Sequence, residues 1–509
     1  MNGLVVGIDL ATEHVRVVVA DEHGVPIASA ERPLAVPDRS VPGQAEQDAA
    51  SWWPATSSAL REVTGSLGPD DGEIVAVAPT ATSGTVVLVD RDRCPIGAAL
   101  LYNDQRASAP AERANAVGRG RWRACGLRIA PSFALAKLGW LADHGRLVAA
   151  ARAWSGADLV VAGLTGQDPV TDWSHALKTG YDLVRREWPA EVLDALHIPA
   201  SLLPEVAAPG TYAGPVSAAA AAETGLPHGC QVRLGMTDGC TSQIACGAVA
   251  PGAFVSVLGT TLVVKGASTS LVHDPAGVVY SHLHPGGLWL PGGASNTGGE
   301  GLGLSGQRAD LRRLDAAAAG HGPASVVTYP LARTGERFPF YAPSAAGFTL
   351  GTPRDDVDAF RARLEGVAFI ERLAYDHLAT LGVPPAGPVS IAGGATASNV
   401  WNRIRATVLG RQLRVPRRPE SAFGAAVIAA AGTVHGDIAS AAATMVRYRD
   451  VVEPDKNETA ALEDSYLLLV DELNARGWVS EALRDAVHGH CSEGSEAHGQ
   501  AIDVGLHPD

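Results

Sequence analysis

The chain has 509 residues, a formal net charge of −14, 46% hydrophobic and 18% charged residues. That length exceeds what one hydrophobic core organises, so at least two domains are expected, and the composition is that of a globular rather than a disordered protein. The acidic balance argues against a nucleic-acid or membrane surface as main partner, and no uncharged apolar run reaches the roughly 18 residues of a membrane helix.

In chain order, "LVVGIDLATEHVRVVVAD" (4–21) opens as a buried strand that ends on Asp9, turns through Ala11 and Thr12, and returns as an alternating strand. A carboxylate at that turn either caps it or lines a pocket for a metal-bound phosphate. A third strand is expected by Leu34, then an amphipathic helix over "EQDAASWWPATSSALREV" with its acidic residues in the first turn. "EIVAVAPTATSGTVVLVD" (73–90) predicts strand, small-residue turn and strand, and the alternation of strands and helices continues to about residue 235, a mixed α/β layer architecture. At 253–267, "AFVSVLGTTLVVKGA" repeats the opening hairpin with Gly259 where the carboxylate stood, which suggests duplication of one α/β unit.

Further on, "PGGASNTGGEGLG" is glycine-rich, "VSIAGGATASNVWNRIRATVLG" predicts strand, glycine turn and helix, and "ETAALEDSYLLLVDELNARG" a long amphipathic helix. From 486 onward the polar "HGHCSEGSEAHGQ" region is expected to be an unordered tail. The six cysteines form no CxxC pair and are expected to be reduced thiols; with no leader before the first strand, the expected location is cytoplasmic.

Four loops could carry chemistry. Two glycine–threonine turns, at Asp9–Thr12 and Gly259–Thr261, can grip a polyphosphate with backbone N–H groups and hydroxyls, and one carboxylate such as Asp9 suffices to anchor magnesium, which keeps most of its waters. Glycines after Ile391 allow close approach of a base or ribose. Asp238, at a helix start in "LGMTDGCTSQIACG", could take the proton of a hydroxyl attacking a phosphate; the alternative is a plain helix cap. The pattern GxxxxGK[ST] does not occur, which disfavours a P-loop fold.

With "GIDLAT", "GQAEQDAASWW", "ALLYNDQRA", "PSFALAKLGWLADH", "LTGQDPVTDWSHALKTGYDL", "GMTDGCTSQIACG", "VLGTT", "EGVAF" and "AGGATASNVWNRIRATVLG" in order, residues 1 to about 480 resemble the FGGY family of carbohydrate kinases in the actin-like ATPase superfamily. The resemblance implies two actin-like (ribonuclease H-like) α/β domains with mixed sheets, flanking helices and a cleft between them. It places them at 1–248 (sugar and part of the phosphate site) and 249–485 (ATP), with the tail at 486–509. It implies Asp238 as catalytic base and ATP with Mg2+ as cofactors. Asp9 would hold the metal through water, and Thr12, Gly259, Thr260 and Thr261 would hold the phosphates. Gly393, Gly394, Ala395 and Asn399 would lie along adenosine, and Thr82, Ser83, Asp104 and Asp238 at the sugar.

The function implied is transfer of the γ-phosphoryl group to a ketopentose. D-ribulose comes first, because the Met-His pair usual in xylulose kinases is replaced by Thr82–Ser83; D-xylulose or another ketose or polyol is the alternative, and a non-catalytic sugar or ATP sensor the remote one. The expected partner is a small sugar, with a homodimer the one assembly entertained. Lys137, Trp140, Trp52 and Trp53 are expected to be architectural, Cys240 and Cys246 small core residues, and His175 either core or cleft wall.

Overall fold

The computed structural model describes residues 3–303 and 308–489. The first half builds a six-stranded sheet from β1 (Gly3–Leu10), β2 (His14–Ala20), β3 (Pro26–Pro33), β4 (Glu73–Ala81), β5 (Tyr212–Pro215) and β6 (Gln231–Arg233), in the order β5-β6-β4-β1-β2-β3. The second half builds a seven-stranded sheet from β7 (Phe254–Leu258), β8 (Leu262–Gly266), β9 (Tyr280–Leu283), β10 (Trp289–Ser295), β11 (Val389–Ala392), β12 (Leu413–Pro416) and β13 (Tyr448–Val452), in the order β9-β10-β8-β7-β11-β12-β13.

The two sheets are wired alike. β1 runs antiparallel to β2 and parallel to β4, which is parallel to β6. β7 runs antiparallel to β8 and parallel to β11, which is parallel to β12. The duplication suggested by the repeated hairpin therefore extends to the strands that follow it, and the fold is the expected two-domain α/β architecture with mixed sheets.

β1 is buried along its whole length, as its unbroken apolar run requires of a strand covered on both faces. One face packs with the helix Trp52–Gly65 (α1), whose Trp52, Ala59, Leu60 and Val63 join the core of the first domain. α1 starts later than expected, without acidic residues in its first turn. Glu46–Gln47 instead pairs as a short strand with Ala99–Leu100, and Asp48 caps a separate 3-10 turn by accepting from Ala50 N at 3.0 Å. The cap satisfies an orphan N–H that a longer helix would have left to water.

The other face of β1 meets a helix from the far end of the chain. Ser421–Ala430 is buried from Ala422 to Ala430, consistent with an apolar surface all round. It lies between the first sheet and the helix Asp238–Ala245. The approach is so close that a Cβ at Gly7 would overlap Ala422 O, and one at Gly424 would overlap Thr241 O. A cluster of Val5, Ala76, Met236, Cys240, Ile244, Phe423 and Val427 fills this seam, and Cys246 is also fully buried. At the C-terminal end, residues 481–489 form a helix, so the first residues of the expected tail are ordered; 490–509 lie outside the described residues.

Candidate active site

Parallel strands that start together also end together, and here their ends collect the candidate residues. Asp9 pairs with Thr80 and Leu10 with Ala81 across β1 and β4, and Ala81 bridges to Thr237. Asp9, the Thr82–Ser83 turn and Asp238 thus follow one another along one sheet edge, where open α/β sheets form their binding crevices. In the second sheet Val257 pairs with Ala392, so the Gly259–Thr261 and Gly393–Gly394 turns are adjacent. Gly393 has φ +90° and a Cβ there would lie 2.7 Å from the carbonyl carbon of Leu258, so only glycine fits. The edges meet at Asp238, whose carbonyl accepts from Ser421 Oγ at 3.1 Å and whose neighbour Gly239 lies against Lys265 of β8.

Asp9 does not cap its turn. Its Oδ1 is buried without a partner among the described residues, and its Oδ2 lies 3.8 Å from Arg16 Nη1. Burial pushes its pKa up to about 7, the nearby Asp238 carboxylate adds to the rise, and Arg16 opposes it. The two carboxylates therefore lie near enough for Asp238 to disfavour the charge of Asp9. Nor is Asp238 the helix cap: Thr237 occupies that position, Asp238 is the first helical residue, and its Oδ1 accepts from Gly239 N at 2.7 Å.

Each of the two threonine turns is held from behind. Gln47 donates to Thr12 O at 2.7 Å and accepts from Trp52 Nε1 at 2.9 Å. In the second turn, Gly259 N donates to Thr261 O (3.1 Å), while Gly299 N and Glu300 N donate to Gly259 O (2.9 Å) and Thr260 O (3.2 Å). Sequence reasoning missed Gln47, which gives no local signal, and left the glycine run 297–303 without a role; close packing of Gly298 and Gly299 on this turn is that role. Gly259 and Thr260 are exposed. Gly394–Ala397 forms a 3-10 turn, Ala395 is buried, and Asn399 opens the next helix with an exposed side chain.

At the other end, Thr82 Oγ1 lies 2.6 Å from Thr85 Oγ1, and Ser83 Oγ is buried without a partner among the described residues. Lys137 Nζ donates to Gly84 O (2.9 Å) and to Leu101 O, tying the 82–84 turn to the segment holding Asp104, while burial lowers its pKa to about 7. Asp104 is fully buried and its carboxylate is occupied by Ala45 N (2.9 Å) and Arg106 Nη2 (2.7 Å). This makes it an anchor rather than a group aimed at an acceptor. His175 belongs to the core: Nδ1 pairs with Asp172 and Nε2 lies 3.3 Å from Ala81 O. Burial opposes its charge, but Asp172 and Asp158 outweigh burial and raise its pKa to about 8.

Residues 4–245 match the N-terminal domain model of the FGGY family of carbohydrate kinases and residues 254–433 the C-terminal domain model. A xylulose kinase of Streptomyces rubiginosus is 30% identical over 452 residues, 86% of this chain and 90% of the relative. A glycerol kinase of Citrifermentans bemidjiense is 28% identical over 475 residues, 89% and 95% of the two chains. Among solved structures, xylulose kinase from Rhodospirillum rubrum superposes with a TM-score of 0.83 at 28% identity, covering 93% of this chain and 99% of the other. A gluconate kinase from Lactobacillus acidophilus has the same fold, with a TM-score of 0.84 at 22% identity over 93% and 98% of the two chains. Both family domains are matched in order, and the paired carboxylates and glycine turns sit on the facing edges of two sheets of one design; the chain belongs to the FGGY family of carbohydrate kinases, enzymes that transfer phosphate from ATP to an alcohol.

Proposed function

We propose that the chain moves the γ-phosphoryl group of ATP to a hydroxyl of a ketopentose or closely related polyhydroxylated chain bound between the domains. The observation that supports this is the register that sets Asp9 and Asp238 on neighbouring strand ends, near enough for Asp238 to raise the pKa of Asp9. Asp238 accepts the proton of the attacking hydroxyl, whose oxygen bonds to the γ-phosphorus as the bond to the leaving ADP oxygen breaks. Thr12, Gly259, Thr260 and Thr261 bind the phosphates, and Gly393, Gly394, Ala395 and Asn399 border adenosine. Thr82 and Ser83 face the acceptor. Closure of the cleft keeps out water, which would otherwise take the phosphoryl group.

Asp9 suits magnesium. Its Oδ1 is a buried acceptor without a partner, and the ordinary ionised form, which burial disfavours here, would be restored by a cation beside it. Among the described residues no cluster of three or more metal-ligating side chains exists, as fits an ion that keeps waters and phosphate oxygens. Bound there, magnesium would neutralise charge on the phosphates.

Among neutral acceptors, the relatives named xylulose kinases support D-xylulose, whereas Thr82–Ser83 in place of a Met-His pair supports D-ribulose. ADP release measured with each sugar tests the reading. Asp238→Ala is expected to lower kcat by about 10³-fold or more with ATP binding retained. Near-wild-type turnover in that variant would remove Asp238 from the role of base.

A further inference from the structure

A cavity of about 630 Å³ opens at the junction of the two halves, and none of its lining residues is among those placed above at the nucleotide or the acceptor. The first half contributes the turn between β2 and β3 and the end of the helix Asp238–Ala245. The second contributes the segments that precede and follow the helix Ser421–Ala430, and Phe423 from that helix. The floor is apolar and buried, formed by Ala245, Phe423, Met445 and Val446. The rim is basic: Arg417, Arg418 and Arg447 are exposed there, with His23 from the first half.

This rim runs against the composition of the chain. Acidic residues outnumber basic ones by 54 to 40, yet among the described residues no acidic side chain lines the cavity. The backbone that carries the arginines is fixed. Arg417 N donates to Arg447 O at 2.8 Å, Tyr448 Oη lies 3.4 Å from Cys246 O, and a Cβ at Gly24 would overlap Met445 O. The guanidinium groups, by contrast, are scarcely engaged. That of Arg417 has no hydrogen bond or ion pair among the described residues. Arg447 Nη1 donates to Ala443 O at 3.5 Å, and Arg418 Nη1 lies 3.9 Å from Glu420.

Guanidinium groups that carboxylates have not taken up suit a phosphate, whose oxygens match their planar, paired donors. The floor requires more than a phosphate. The volume is that of an ordinary small-molecule pocket, and buried apolar side chains at its base call for an apolar body. We propose that this cavity is a regulatory site for a small organic phosphate monoester, with its phosphate on Arg417 and Arg447 and its body on Phe423 and Met445.

The path to the chemistry is short. The helix whose last residue, Ala245, walls the cavity begins at the proposed base, Asp238, about 10 Å away. Phe423 adjoins Gly424, whose close approach to Thr241 O locks this same helix to Ser421–Ala430. A ligand that touches His23 of one half and Arg417 of the other favours the placement of the halves that it fits best, and its differential affinity sets the size of the effect.

The test is calorimetric titration of the full chain, with saturating MgADP in the nucleotide turns, using phenyl phosphate, inorganic phosphate and phenol as probes. Phenyl phosphate is expected to bind at least about tenfold more tightly than either of the others, and Arg417→Met and Arg447→Met are each expected to weaken it about tenfold. Both arginines are exposed, so neither variant threatens the core. Phenyl phosphate should also shift the KM for MgATP or sugar by about fivefold in wild type and not in the double variant. Without the probe, the double variant should turn over within about twofold of wild type. No saturable binding of phenyl phosphate, equal affinity for inorganic phosphate, or unchanged affinity in the double variant would overturn the site. Binding with unaltered kinetics would overturn its regulatory role. Binding is read without turnover, so loss of the site would leave the kinase reading intact, and failure of the kinase reading would leave the binding result standing.

Discussion

Asp9 is a residue whose function works against stability. The unfolded chain releases this proton near the ordinary value of 3.8, the folded protein at about 7. Between those values the native state binds the extra proton, so stability falls as pH rises through the window, and the cost is fully present above about pH 7. Its ceiling is roughly 4 kcal/mol, less whatever relaxation of the cavity recovers. In magnesium-free urea titrations, wild type is expected to lose stability from pH 5 to pH 8 relative to Asp9→Asn. The variant should be the more stable of the two at pH 8 while losing activity. Parallel pH profiles for the two proteins would mean that Asp9 is solvated.

At the scale of elements, the helix Asp356–Thr380 is clamped to Asn399–Leu409 by a bidentate pair. Arg405 Nε reaches Glu371 Oε2 at 2.6 Å and Nη2 reaches Oε1 at 2.8 Å, with both side chains fully buried. Removing one partner strands a buried charge. Arg405→Met is expected to cost about 3–5 kcal/mol in urea unfolding, and Arg405→Met with Glu371→Leu distinctly less. Equal losses in the single and double variants would show that packing, not charge, is what the pair supplies. The contact of Gly424 with Thr241 O couples a second pair of helices to the chemistry, because the helix carrying Thr241 begins at Asp238. Gly424→Ala is expected to cost about 1–3 kcal/mol by overpacking and to lower kcat through displacement of Asp238. Unchanged kcat in a folded variant would show that the base is set by its own turn.

The proposed nucleotide turns lie at the strand ends of one sheet and the proposed base at those of the other, so the proposed reaction needs the two together. An ATP analogue and an acceptor added together are expected to reduce the radius of gyration in X-ray scattering, more than either alone, as the domains close. No change with both present would mean that the cleft is already closed in the free protein. The helix Ser421–Ala430 joins the two halves: it belongs to the second in sequence, yet it packs on β1 of the first. Among the described residues no helix is long and apolar enough to cross a membrane.

Local pattern was sufficient for much of this. The apolar run of β1, the repeated hairpin and the glycine turn after Ile391 are short-range signals, because hydrophobic periodicity and turn chemistry act over a few residues. They made the two α/β halves legible, together with the turns proposed to hold phosphate. Long-range contact decided the rest. The sequence left open whether Asp9 and Asp238 cap their turns; the missing partner of Asp9 Oδ1 among the described residues and the Thr237 cap show that they do not. Asp104 has the composition of a ligand, and only folding shows Arg106 and Ala45 occupying it. Gln47 behind Thr12, and Lys265 beside Gly239, come from segments far apart along the chain. Which charges face one another, and which are left without partners, is set by burial and close approach, and those belong to the folded chain alone.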